Sequence, residues 1–110
     1  MEIKLNVYKS GEIVKTYRTE TYEIMFGTVE DLLGVIDFDK IQKGTDTEVL
    51  LAVTKAIPKA FSLVKPLLKD VFPGITDDEL KNCRVKEIAK VLIDIAKFTI
   101  SDIGAGNSKN

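Results

Sequence analysis

The side chains best equipped for chemistry in this chain are the consecutive acids Asp77, Asp78 and Glu79, the thiol of Cys83, and Tyr8, Tyr17 and Tyr22. Histidine is absent, which removes the commonest general base, the usual zinc ligand and the base of Ser/His and Cys/His pairs. Three acids in a row match no calcium loop, whereas a helix N-terminus, with its partial positive charge, is reason enough for them. Near Cys83 in sequence stand only Lys81, Arg84 and Lys86, so a half-buried structural thiol is expected rather than a nucleophile. A lone cysteine also forbids an internal disulfide or thiolate cluster, in keeping with a reducing compartment. No Gly-rich phosphate loop or lipidation motif is present. The expectation is a protein that is not an enzyme, with no catalytic, cofactor-binding or metal-ligating residue and no cofactor.

Charge narrows the partners. Sixteen Lys and Arg face seventeen Asp and Glu, a net charge of -1, so no global field draws in nucleic acid or an anionic membrane, and neither is expected. Lys55, Lys59, Lys65 and Lys69 recur along one stretch, but Lys65 departs from the others on a helical wheel and Glu48 and Asp70 interrupt them. They form a solvated face. The three tyrosines lack a basic surround, so cross-strand packing is preferred to base stacking. The N-terminus carries no signal-peptide pattern and the apolar runs are too short to span a bilayer, so the protein is expected to stay where it is made.

The elements that position these residues follow from periodicity. At 110 residues, 45% apolar and 30% charged, the chain has the size and composition of one globular domain. The expected class is α+β: an N-terminal β-hairpin, then a mostly helical part with a long kinked helix and a C-terminal amphipathic helix. Residues 1–103 would form the domain and 104–110 a flexible tail. Ile3, Leu5 and Val7 alternate with polar residues, Ser10-Gly11 supplies a turn, and Ile13 to Arg18 is rich in β formers, which predicts a hairpin over 2–18. Residues 19–26 satisfy neither period cleanly. Thr28 is the expected cap of a short helix from Val29 to near Ile36, followed by a charged connector over 37–44.

Thr45 and Glu48 fit a capping box opening a long helix whose inner face is Val49, Leu50, Val53, Ile57, Ala60, Phe61, Val64, Leu67, Leu68 and Val71. Pro58 and Pro66 should bend it or start it twice. Thr76 and Glu79 form a second capping box, with Ile75 and Leu80 placed as a hydrophobic staple, and that short helix should bend near Asn82-Cys83. In the last helix, roughly Arg84 to Ile103, polar side chains occupy an arc of about 100° and apolar ones about 220°. Two explanations remain open: a partner surface, or a core helix squeezed between neighbours. The width predicts self-association, with Val91, Ile95 and Phe98 as the candidate self-association or client face.

Three segments resemble a known family: Tyr22 to Asp31 (YEIMFGTVED), Val71 to Lys81 (VFPGITDDELK) and Val85 to Ile88 (VKEI). Their order is similar to the tail assembly chaperones of long-tailed phages and prophages of Gram-positive hosts. The resemblance implies a cytoplasmic chaperone, missing from the mature virion, that binds the tape measure protein, keeps it soluble and recruits the tail tube protein to it. A homo-oligomer fits the same picture. Many members exist in a short form and a frameshifted longer one. This chain would be the short form, and Ser108-Lys109-Asn110 permits the slippery codons NNA-AAA-AAC. The alternative is a small phage or mobile-element adaptor or regulatory protein acting by protein-protein contact.

Overall fold

The chain turns back on itself at Ser10-Gly11, where both residues take positive φ (53° and 81°), the geometry whose twist matches a two-residue hairpin. In the computed structural model, which describes residues 2–108, this joins β1 (Glu2–Lys9) to β2 (Glu12–Glu20) in an antiparallel pair. Val7 pairs with Lys15 but Tyr8 with Ile13, leaving Val14 as a bulge residue. The extra residue turns Ile13 to the face opposite the core, where it is exposed. Ile3, Leu5 and Val7 are buried on the other face, as their alternation predicts. A hairpin alone is marginal in water; here the helices cover it.

The stretch 19–26 resolves into three pieces. β2 runs to Glu20, a 3-10 turn covers Thr21–Glu23, and α1 starts at Phe26 and ends at Leu33. Thr28 is therefore not a cap. It is a buried residue of the first turn, and the N-cap is Met25, whose side chain makes no capping bond. The helix also stops short of Ile36, with Gly34 at its C-cap. The expected connector over 37–44 contains a further helix, α2 (Phe38–Lys43), because Asp37 caps it by accepting from the amides of Asp39 (3.0 Å) and Lys40 (3.4 Å).

The long helix does start twice. α3 (Asp46–Ala56) gives way to a 3-10 turn at Pro58–Ala60, and α4 follows from Phe61 to Val71. Val49, Val53, Ile57, Val64, Leu67, Leu68 and Val71 of the expected inner face are buried, while Leu50, Ala60 and Phe61 are half-buried. The Thr45 hydroxyl accepts from the Glu48 amide at 3.2 Å, but it also donates to the Glu48 carboxylate at 3.0 Å. The carboxylate thus meets the cap's hydroxyl, where the expected box had it meeting the cap's amide.

α5 (Asp77–Lys81) carries a complete capping box on Thr76 and Glu79, with Ile75 and Leu80 both buried beside it. α6 spans Val85–Ser108. It runs past the expected end at Ile103, so residues 104–108 continue the helix where a flexible tail was expected. Gly104 and Gly106 lower helix propensity, but extending an existing helix demands far less than nucleating one. Residues 109–110 of that tail lie outside the described residues.

α6 packs against α3, β1, α1 and α2. Polar bonds tie the hairpin to α5 and α6. Glu87 accepts from the Tyr8 hydroxyl and from Asn6 Nδ2 (3.0 Å), Arg84 lies 4.1 Å from the Tyr8 ring centre, and the Tyr8 amide donates to the Asn82 carbonyl (2.8 Å). The bond to Glu87 holds the Tyr8 hydroxyl above its ordinary pKa of 10.0. On the other strand, the Tyr17 hydroxyl donates to Glu79 Oε1 at 2.6 Å, while its ring meets Phe72 at 6.3 Å.

Glu79 therefore serves two structures at once, the α5 cap and the hairpin clamp. The Tyr17 hydroxyl first, then the Thr76 amide, with Lys15 Nζ 3.5 Å away, hold its carboxyl below the ordinary value of 4.5. A depressed folded value means that the carboxylate's contribution is fully present above pH 4.5 and is lost as the pH falls through the lowered value. Glu79→Gln is expected to lower the urea midpoint at pH 7 and to flatten the acid limb of the stability profile. Identical pH slopes in the two proteins would show that the clamp does not depend on the charge.

Candidate functional site

The wide apolar arc of α6 is the first place to look for a binding surface, and the fold fills it from within. Val91 is 2% exposed and Ile95 0%, enclosed by the neighbours of α6 named above. Phe98 is half-buried. Burial within one chain leaves Val91 and Ile95 no surface to offer a self-association or client face, while Phe98 keeps part of its own: four other elements of the domain, α1, α2, α3 and β1, pack on α6. The explanation that survives is the core helix squeezed between neighbours. Val85, at the exposed start of α6, is the exception along this face.

Exposed apolar surface lies elsewhere, on α1. Thr28 and Leu32 point into the core, and apart from half-buried Val29 the other residues of this two-turn helix are exposed. Phe26 and Leu33, seven residues apart and so on one flank, are exposed at 76% and 55%, and Met25 at the N-cap at 73%. Val29 between them is half-buried. On α4, Leu63 is also exposed, and its Cδ1 would sit 3.4 Å from a Cβ placed on Gly34 at the end of α1. Glu30 and Asp31 of α1 and Asp70 of α4 are exposed and line, with Met25, Gly27 and Thr28, an open depression of about 460 Å³. No cation lies within 4 Å of these three carboxylates among the described residues.

None of Met25, Phe26 or Leu33 was singled out from sequence. The signal that would have found them is the 26, 29, 33 spacing, which becomes a ridge only once the helix is known to start at Phe26.

The chemistry-bearing residues are spent on structure. Asp77 pairs with Lys69 at 2.7 Å, which holds its carboxyl below the usual range, and Glu79 is the clamp described above. Cys83 Sγ lies 3.2 Å from the Glu79 carbonyl, and burial pushes the thiol up to about 11, an inert form at neutral pH. Tyr8 and Tyr17 pack as cross-element anchors; the Tyr22 side chain lies outside the described residues. Among the described residues no group of three His, Cys, Asp or Glu could hold a metal ion.

A second groove, of about 400 Å³, runs between α3 and α6 over Val49, Leu50 and Ile93. Its rim carries both signs, and Lys97 reaches across it to Asp46 at 3.2 Å. Burial raises the Asp94 carboxyl there, against the opposing effect of Lys90 and Lys97. Mixed charge and a bridging ion pair suit a seam between helices better than a ligand site. No helix among the described residues is long and apolar enough to cross a membrane.

No family model, curated protein or solved structure matches the chain.

Proposed function

We propose that this chain is a tail assembly chaperone of a long-tailed phage or prophage, which holds the tape measure protein in solution in the host cytoplasm and recruits tail tube subunits to it. The observation that carries the proposal is the exposed ridge of α1, because Met25 and Phe26 fall inside the first of the resembling segments, Tyr22 to Asp31. The other two segments build the α5 cap and the start of α6, which pin the hairpin and so hold the helical layer in place. A holding protein works by offering apolar surface on a stable platform, and α1 on this core has that form. The chaperone acts through contact, takes no cofactor, and does not remain in the mature virion.

The test is co-expression of the tape measure gene from the same tail operon with and without this chain. The expected result is a client that sediments as aggregate alone and stays in the supernatant with the chain, co-eluting with it on gel filtration. A client equally insoluble in both cases, with no co-elution, rules out the holding role and leaves a regulatory adaptor.

A further inference from the structure

We draw no further inference here: the strongest candidate, the exposed apolar row of Met25, Phe26 and Leu33 along α1, already carries the chaperone reading, and nothing in the structure shows what covers it.

Discussion

Ile95→Asp is expected to unfold the domain. Ile95 is fully buried on α6, so the substitution deletes packed apolar volume and places a carboxylate in an interior shut off from solvent. Truncation to Ala alone should cost about 3 kcal/mol. The buried charge brings the loss above about 4 kcal/mol, most of the stability of a domain that has about 5–15 kcal/mol in all. Circular dichroism and a urea titration of the purified variant read this directly. A variant that kept its spectrum and midpoint while losing oligomer mass would put Ile95 at an interface between chains, and the enclosure of the α6 arc within one domain would be wrong.

That contrast explains what the sequence could and could not say. The local devices were legible because every atom they need is within a few residues: the alternation of Ile3, Leu5 and Val7, the Thr76 and Glu79 box, and the Ile75 and Leu80 staple. The inner face of α3 and α4 was legible because one helical period runs through both. The width of the α6 arc was legible as well, but its meaning was not. Whether about 220° of apolar surface is a core or an interface depends on where α1, α2, α3 and β1 lie, and that is tertiary information.

The misassigned cap shows the same limit at short range. Thr28 has the right type for an N-cap, but the fold uses it in the first turn of α1, buried, and starts the helix at Phe26, three residues before the expected Val29, with a methionine at the cap. Asp37, an equally good cap by type, does cap α2. Nothing local separates the two. With the expected start at Val29, Met25 and Phe26 fall in a stretch with no clean period, apart from Leu33 in the expected helix, and only the packed structure brings the three onto one exposed helix.

Pro66→Ala is expected to stabilise the protein, by about 2 kcal/mol. The two prolines of the middle helices look alike in sequence, and the chain treats them differently. Pro58 opens a 3-10 turn at the break after α3, where a missing amide goes unnoticed. Pro66 sits inside α4, which runs unbroken from Phe61 to Val71. There its ring displaces the hydrogen bond that residue 66 would give to the carbonyl of Ser62, at about 3 kcal/mol relative to Ala in a helix interior. Part of that is returned because proline restricts the unfolded chain, by about 0.4–1 kcal/mol. Position 66 is exposed, so Ala opens no cavity. A raised calorimetric midpoint with an unchanged spectrum is the expected result. A lowered midpoint would mean that α4 depends on the local bend proline imposes, and Asp70, one turn further on, would then shift relative to α1.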